Sequence, residues 1–323
     1  MNPTISDTPA QVSADAATAQ GSPTSKTTPR TLGMRWSPYA DEVPEGDTLH
    51  RAANRLRPVL AGATLRRFEA PRLVGERPVP GVAITDVTAV GKHLLVSFDD
   101  GLALRTHLGM TGSWHLYSDG TRWAKPRYLL RALVGVDGWD AVCFSAPQVQ
   151  VYRPDRPGGM LGSGVDPLGH LGPDLCTPDP DIDAALVRFN TAPDPGTTIA
   201  EALLDQRIAA GIGNVYKSEL LHRCRVDPFV EVEAVPVEVR RQILAAANRL
   251  LLHNLTTTRR TTVAGPAGSV AVYRRARRPC PRCGTPVRMT RHGRLNRSTY
   301  WCPRCQPPGA VGHVPDRREP AEG

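Results

Sequence analysis

The chain has 323 residues, a formal net charge of +9 and a sequence pI of about 9.5. This length allows two domains with a real core, and the positive balance favours a polyanionic partner such as nucleic acid. No run approaches eighteen apolar residues, no signal-peptide core is present and the seven cysteines are not spaced as a disulfide framework, so we expect a soluble, cytoplasmic, nucleoid-associated protein without a membrane partner.

The N-terminal stretch, residues 1–43, has the composition of a disordered extension. It is rich in Ala, Thr, Ser, Pro, Asp and Gln and shows no apolar period, so it cannot bury enough surface to offset the entropy of ordering. The composition of the chain changes at Pro44. Apolar residues at helical spacing then predict a helix over Thr48–Leu60.

A series of short β-prone runs follows this helix. The predicted strands are Thr64–Phe68, Ala83–Val90, His93–Phe98, Leu102–Thr106, Ser113–Leu116, Tyr128–Val134 and Ala141–Phe144. Asp99-Asp100-Gly101 is a hairpin turn signal between two of them. Together they predict a β-sandwich domain over 44–155 with one leading helix.

The second half of the chain is predicted to be mostly helical. A Pro/Gly-rich stretch over 156–180 indicates a linker, and residues 307–323 indicate a flexible tail. Helical patterns occur over Thr198–Gln206, Asn214–Arg223 and Val237–Asn254. We therefore expect an α+β protein with a helical domain over 181–272 and a hairpin over 273–306, which Val270–Tyr273 and Met289–Thr299 frame.

Two Cys-x-x-Cys pairs in this last segment have the spacing of a zinc site. Cys280 and Cys283 are followed, after eighteen residues, by Cys302 and Cys305. Four thiolates leave no position for a catalytic water, so one structural zinc ion is expected. The residues around it include many arginines and no acidic side chain between Arg274 and Arg304, which favours binding to a polyanion.

Four separated segments resemble the formamidopyrimidine-DNA glycosylase / endonuclease VIII family of DNA repair enzymes. They are Pro44-Glu45-Gly46-Asp47-Thr48, Gly91-Lys92-His93-Leu94-Leu95, the string from Asp205 to Glu219 with Gly211-Ile212-Gly213-Asn214, and Arg297-Ser298-Thr299-Tyr300-Trp301-Cys302. The resemblance covers roughly residues 44–306 and implies a β-sandwich, a helix–two-turns–helix domain and a zinc-finger hairpin. It implies a glycosylase with abasic-site lyase activity on double-stranded DNA, which we expect to act as a monomer.

The resemblance assigns the nucleophile to the amine of Pro44 and a proton-transfer role to Glu45. A secondary amine that attacks the anomeric carbon of deoxyribose gives an iminium directly, which makes β,δ-elimination of phosphate feasible. Within the printed chain, however, Pro44 is a tertiary amide without a lone pair to offer. We therefore expect translation to begin at Val43 through a GTG codon, with removal of the initiator methionine; a blocked, noncatalytic DNA-binding protein is the alternative.

The remaining site residues also follow from the resemblance. Lys92 would assist catalysis at the lesion phosphate, although a solvated strand-end lysine is an alternative. Arg297 would clamp the phosphate that flanks the extruded nucleotide. Met110 would fill the hole left by the flipped base, and a core methionine is an equal alternative.

The string Gly211-Ile212-Gly213-Asn214 fits a phosphate-binding turn between two helices. Its glycines would let the backbone approach a phosphate, and Asn214 could cap the following helix and donate to a phosphate oxygen. A simple helix–helix turn would also contain Gly and Asn.

The branch of the family is indicated by the residues after the sandwich strands. Val142–Pro147 resembles the endonuclease VIII branch, which implies oxidised pyrimidines such as thymine glycol as substrates. The alternatives are an 8-oxoguanine/formamidopyrimidine glycosylase of the same fold and a generic zinc-ribbon nucleic-acid binder.

Overall fold

The computed structural model describes residues 43–154, 166–191, 193–257 and 259–312. The predicted extension before Val43, residues 155–165 and the tail beyond 312 lie outside these ranges. From Val43 onward the described residues form one compact unit. None of the helices in these ranges is long and apolar enough to cross a membrane.

The first half is a β-sandwich with a leading helix, α1 (Gly46–Leu60). Its strands are β1 (Arg67–Glu69), β2 (Ile84–Val90), β3 (His93–Phe98), β4 (Ala103–His107), β5 (Ser113–Ser118), β6 (Leu130–Val136), β7 (Trp139–Phe144) and β8 (Gln148–Tyr152). Two antiparallel sheets form, in the orders β1-β6-β7-β5 and β2-β3-β4-β8. Strand β8 was not predicted, although its sequence Gln-Val-Gln-Val-Tyr alternates polar and apolar residues as a half-buried strand does.

The sandwich core is formed by apolar residues that recur at strand spacing in the sheets and at helical spacing in α1. In β3 the alternate residues Leu94, Val96 and Phe98 are buried between the sheets. The apolar stripe of α1, which includes Leu49 and Leu56, joins the same cluster. Each such side chain contributes about 1.5–3 kcal/mol by burial. The result is a rigid support for the residues that precede α1 and for the turn between β2 and β3.

The second half is helical and carries the zinc hairpin. Its elements are α2 (Ile182–Thr191), α3 (Ile199–Ala202), α4 (Asn214–Arg223), α5 (Val237–His253), β9 (Arg288–His292) and β10 (Arg297–Trp301). Strands β9 and β10 pair antiparallel, with Arg297 opposite His292. The predicted α+β fold class is confirmed.

The structure of this half differs in three places from what the sequence predicted. Helix α3 ends at Ala202, because the following residues turn and Gln206 bonds the carbonyl of Ile212 (3.1 Å) and the amide of Gly211 (3.1 Å). Helix α2 was not predicted. Residues Val270–Tyr273 form no strand, although they lead into the hairpin as expected.

Parts of the predicted linker and tail contact the helical core or its neighbours. Leu175 and Cys176 are buried in the helical core. In the tail, Val311 forms a bridge with Val226, and the amide of Asp227 donates to Ala310 (2.7 Å). High Pro and Gly content therefore indicated irregular backbone correctly here but not freedom from the core.

Candidate active site and metal centre

The carboxylate of Glu45 lies at the N-terminus of helix α4, across the boundary between the two halves. It accepts backbone N–H bonds from Gly213 (3.0 Å), Val215 (2.8 Å) and Tyr216 (3.4 Å), and Glu45 is 1% exposed. The first N–H groups of a helix have no partner within the helix, and its dipole favours negative charge there. Helix α4 therefore fixes the carboxylate beside Pro44.

Gly213 is required by this contact. A Cβ at position 213 would lie 2.3 Å from Cδ of Glu45, so no other residue leaves room for the carboxylate. The amide of Gly213 bonds Glu45, and the amide of Gly211 bonds Gln206. These two N–H groups are thus engaged within the protein, and the approach of this turn to a phosphate stays a prediction.

Lys92 lies on the turn between β2 and β3, and Asp174 holds that turn in place. The amide of Gly91 donates to Oδ2 of Asp174 (2.7 Å), which also contacts Nε2 of His50 (2.9 Å). Oδ1 of Asp174 accepts from the amide of Cys176 (2.9 Å). A residue of the predicted linker therefore joins α1, the β2–β3 turn and the helical half.

The ammonium group of Lys92 is poorly solvated and close to other charges. Burial, together with the charges of Arg297 and Arg260, lowers its pKa to about 8, and Glu45 opposes this shift. Lys92 thus shares one electrostatic environment with Glu45 and Arg297, although the three are far apart in the sequence.

A second lysine, Lys217, belongs to this environment and was missed as a site residue. It is 1% exposed, and its ammonium donates to Asn214 Oδ1 (2.8 Å), Thr299 Oγ1 (2.8 Å) and the carbonyl of Ser298 (3.2 Å). Burial lowers its pKa to about 8 as well. Its rarity could have marked it, since the chain contains only four lysines.

Asn214 ties helix α4 to the hairpin strand that carries Arg297. Its side-chain amide donates to the carbonyl (2.9 Å) and Oγ (3.0 Å) of Ser298. Gly213 is the N-cap and Asn214 is the first helical residue, which corrects the expected capping role. The N–H groups of the Asn214 side chain point toward the hairpin. Asn214 therefore fixes Ser298, the residue that follows Arg297, relative to α4.

Arg297 and Met110 come together from opposite halves of the chain. Nη1 of Arg297 lies 3.8 Å from Sδ of Met110, and Met110 is 63% exposed. An exposed methionine is not a core residue, so the core alternative for Met110 is excluded. Both side chains are exposed, as residues that contact DNA would have to be.

A buried ion pair supports the residues before α1 and was not predicted from the sequence. Arg260 is 3% exposed and binds Asp47 through Nε (3.0 Å) and Nη2 (2.6 Å), while Nη1 donates to the carbonyl of Val43 (3.3 Å). Its guanidinium lies 5.1 Å from the ring centroid of Tyr216. Although burial raises the pKa of Asp47, the charge of Arg260 keeps that pKa below its usual value.

The four hairpin cysteines form a cluster that fits one structural zinc ion. All four sulfurs lie within 4.8 Å of one another, with Cys280–Cys305 at 3.9 Å and Cys283–Cys302 at 3.4 Å. Tetrahedral coordination at the usual zinc–sulfur distance separates sulfurs by about 3.8 Å. The donor set consists of thiols alone, as expected for a site without catalytic water.

Helix α4 also contacts the first cysteine of the metal cluster and the chain that leads into it. Nε2 of His222 lies 3.3 Å from Sγ of Cys280. The buried carboxylate of Glu219 accepts from the hydroxyl of Thr262 and from the amides of Ala271 (2.7 Å), Val272 (2.9 Å) and Tyr273 (2.8 Å). One helix thus positions Glu45, the hairpin and the chain leading into it.

Family models match three parts of the chain. The formamidopyrimidine-DNA glycosylase N-terminal domain matches residues 43–146, and the formamidopyrimidine-DNA glycosylase H2TH domain matches residues 171–264. The zinc finger found in FPG and IleRS matches residues 278–308. The two halves and the hairpin of the fold correspond to these three matches.

Two curated relatives and one solved structure are similar over most of the chain. A "Probable endonuclease 8 2" of Streptomyces coelicolor is 40% identical over 85% of this chain and 100% of its own. A "DNA-(apurinic or apyrimidinic site) lyase Nei2" of Mycolicibacterium smegmatis is 35% identical, covering 82% and 99%. A Lactococcus lactis FPG mutant in complex with a Fapy-dG containing DNA has a TM-score of 0.67, 20% identity and coverage of 82% and 100%, which shows the shared fold.

Proposed function

The chain belongs to the formamidopyrimidine-DNA glycosylase / endonuclease VIII family of base excision repair enzymes, and we propose that it excises oxidised pyrimidines and cleaves the resulting abasic site. One observation carries the proposal. The carboxylate of Glu45, the residue after Pro44, is hydrogen-bonded to the N-terminus of α4, and the charges of Glu45 and Arg297 both act on the pKa of Lys92. The elements that meet there come from all three matched domains.

The nucleophile in this proposal is the free secondary amine of Pro44. Its lone pair forms a bond to C1′ of the deoxyribose while the bond from C1′ to the damaged base breaks. The base leaves with the electron pair of that bond and a proton, and the amine nitrogen gives up its own proton. The ring bond from C1′ to O4′ then breaks, its electron pair goes to O4′ with a proton, and a C1′=N iminium forms. Loss of a proton from C2′ drives elimination of the 3′ phosphate, and the 5′ phosphate follows by δ-elimination.

The other residues of the pocket take proton-transfer and phosphate-binding roles. Glu45 exchanges protons with O4′ and the leaving groups, since its carboxylate is adjacent to the nucleophile. Lys92 and Arg297 bind the phosphates that flank the lesion, and exposed Met110 fills the space of the extruded base. Double-stranded DNA with a damaged base or an abasic site is thus the proposed partner of a monomeric enzyme.

The metal has a structural role in this mechanism. Cys280, Cys283, Cys302 and Cys305 would hold one zinc ion, which cross-links the ends of the hairpin and supplies no reacting group. Arg297 on β10 depends on that cross-link for its position.

The amine of Pro44 must be the N-terminus of the active protein. The N-terminal family model begins at Val43, and the S. coelicolor relative aligns over its whole length within 85% of this chain. Both observations support initiation at codon 43 followed by methionine removal. The intact mass of the native protein measures this directly, and a mass that begins at Met1 contradicts it.

Borohydride trapping tests the proposal. A chain that begins at Pro44, made with a removable initiator methionine, is incubated with a thymine-glycol duplex, an 8-oxoguanine duplex and a plain abasic-site duplex. A covalent band with thymine glycol and the abasic site confirms the amine nucleophile and the pyrimidine preference. A band with 8-oxoguanine instead contradicts the pyrimidine preference. Tight binding without any band contradicts the proposed enzymatic activity.

A further inference from the structure

The contact between Arg260 and Val43 places a buried cation beside the proposed nucleophile. Nη1 of Arg260 lies 3.3 Å from the carbonyl oxygen of Val43, in the peptide group that contains the nitrogen of Pro44. Oxygen and nitrogen of one peptide group are about 2.2 Å apart, so Nη1 lies within about 5.5 Å of that nitrogen. No other described side-chain donor is hydrogen-bonded to this peptide oxygen.

The guanidinium cannot turn away from this position. Asp47 holds Nε and Nη2 in a bidentate pair, Thr48 Oγ1 accepts from Nη2 (3.1 Å), and the ring of Tyr216 covers the guanidinium. Asp47 therefore binds the edge away from Nη1, and the edge with Nη1 faces the peptide group of Pro44. In a chain that begins at Pro44, this edge faces the free amine.

The peptide between Val43 and Pro44 also stands in for the reaction intermediate. Its planar carbonyl carbon is bonded to the nitrogen of Pro44, as C1′ of the sugar is in an iminium. Arg260 thus lies next to the place where the bond between amine and sugar forms. This position makes its charge effective on the amine rather than on the distant phosphates.

We propose that Arg260 is a positioning residue for the nucleophile, which keeps the amine of Pro44 unprotonated and ready to attack. The inference rests on the proposed function and deepens it. An α-amino group titrates near pH 8 in the absence of neighbours, so at neutral pH most of it is protonated and inactive. A fixed cation within about 5.5 Å disfavours a second positive charge and releases the lone pair.

The other charged groups at this point come from every element packed there. They are Glu45 and Asp47 before and in α1, Lys92 and Cys176 from the connecting segments, Tyr216 and Lys217 of α4, Tyr273, Arg260 and Arg297. The carboxylates would favour a protonated amine. Glu45, however, is bonded to the N-terminus of α4, and Asp47 to Arg260, so removal of the Arg260 charge would leave these carboxylates unopposed by it at the nitrogen.

The pH dependence of Schiff-base formation tests this role. Single-turnover trapping with a plain abasic-site duplex is measured between pH 5.5 and 9 with the chain that begins at Pro44, whose described residues form one compact unit. The rate rises with pH to a plateau as the amine loses its proton. Arg260→Gln is expected to move the midpoint upward by about one to two pH units, which lowers the rate about tenfold or more at pH 6.5. Arg260→Lys is expected to keep it within about half a unit.

A second variant keeps the test valid if Arg260→Gln does not fold. Asp47→Asn retains an acceptor but removes the negative charge, so the midpoint is expected to move downward instead. The exposed neighbour Arg259 supplies a matched control, because Arg259→Gln removes a cation outside the pocket and should leave the midpoint unchanged.

Two outcomes separate this inference from the proposed function. If the parent chain forms no trapped complex, the nucleophile assignment itself fails. If the parent is trapped but Arg260→Gln has the same midpoint, only the role of Arg260 is overturned. Where Arg260→Gln does not fold, an unchanged midpoint in Asp47→Asn has the same meaning. A lower melting temperature with an unchanged midpoint would likewise assign Arg260 a structural role.

Discussion

At the scale of single residues, the site depends on a carboxylate whose partners are backbone groups. The bonds from α4 to Glu45 connect residues that are about 170 positions apart. No local pattern in the sequence predicts such a contact, whereas the motif at Pro44 and Glu45 is readable from the sequence. The proposed role of Glu45 could therefore be stated from the sequence, whereas the backbone groups that hold its carboxylate could not be predicted.

We expect Glu45→Gln to reduce base excision at least 100-fold, because an amide cannot exchange protons with the sugar oxygen. Binding to an abasic-site analogue should remain, since the side chain keeps its size and one acceptor oxygen. Excision from a thymine-glycol duplex and binding to a tetrahydrofuran duplex measure the two effects. Glu76→Gln, at an exposed carboxylate of the same domain, is the control. Normal excision by the Glu45 variant would contradict its assigned role.

The lowered pKa of Lys92 predicts how DNA binding depends on pH. Its pKa is about 8, against about 10.4 in an unfolded chain, so its positive charge is lost between pH 7 and 9 in the folded protein. Affinity for abasic-site DNA should therefore fall over this range, and Lys92→Met should weaken binding at pH 7 and flatten the dependence. Fluorescence anisotropy at fixed salt measures both, and an equally steep dependence in the variant would exclude Lys92.

The same shift has a consequence for stability. Between pH 8 and about 10.4 the unfolded chain binds more protons at Lys92 than the folded chain, so the free energy of unfolding rises with pH there. Lys92→Met should accordingly be more stable than the parent at pH 7, and the difference should shrink above pH 10. Denaturant unfolding at the two pH values measures it. A variant that is less stable at pH 7 would contradict the burial of the charge.

At the scale of elements, local periodicity predicted what depends on local sequence. The spacing of the cysteines gave the metal cluster, and helices α4 and α5 were predicted within a residue of their observed ends. Strand β8 and the short α3 depend instead on pairing with β4 and on the side chain of Gln206. The pairing of β8 with β4 is a non-local contact, whereas α3 ends in a local turn that Gln206 stabilises through residues five and six positions later.

The hairpin should depend on the metal. Cys302→Ser removes one of four thiolates and is expected to abolish stable zinc binding, to release Arg297 from its position and to weaken DNA binding about tenfold. Zinc content and DNA affinity measure the two effects. The isolated thiol Cys143, buried in the sandwich, provides Cys143→Ala as a control that should keep its zinc. Full zinc content in the Cys302 variant would overturn the structural assignment.

Glu219 should stabilise the segment between α5 and the hairpin. Glu219→Gln places an amide group against backbone N–H donors of Ala271, Val272 or Tyr273, so at least one buried donor loses its acceptor. We expect the free energy of unfolding to fall by about 2–4 kcal/mol. Denaturant titration measures it, with exposed Glu233→Gln as the control. Equal stability of the two variants would show that the carboxylate is not required.

At the scale of the whole molecule, the positive charge should determine how DNA binding responds to salt. Arg297→Ala removes one proposed phosphate contact, so the slope of log affinity against log salt should decrease by about 0.9 and affinity should fall. Arg241→Ala, at an exposed arginine of α5 that pairs with Asp183, is a control of equal charge change. Affinities at four salt concentrations measure the slopes. Identical slopes for Arg297→Ala and the parent would exclude the clamp.

Because the Glu45 carboxylate is bonded to α4, neither half of the molecule contains the whole of the proposed catalytic centre. A gene divided between the sandwich and the helical domain would encode two inactive fragments. One would contain the proposed amine and Glu45, and the other would contain helix α4, which holds the Glu45 carboxylate. Repair activity would then report the association of the fragments, and its onset would be set by their concentrations rather than by the chemistry. The fold thus carries a natural basis for a split enzyme, in which base excision becomes conditional on assembly.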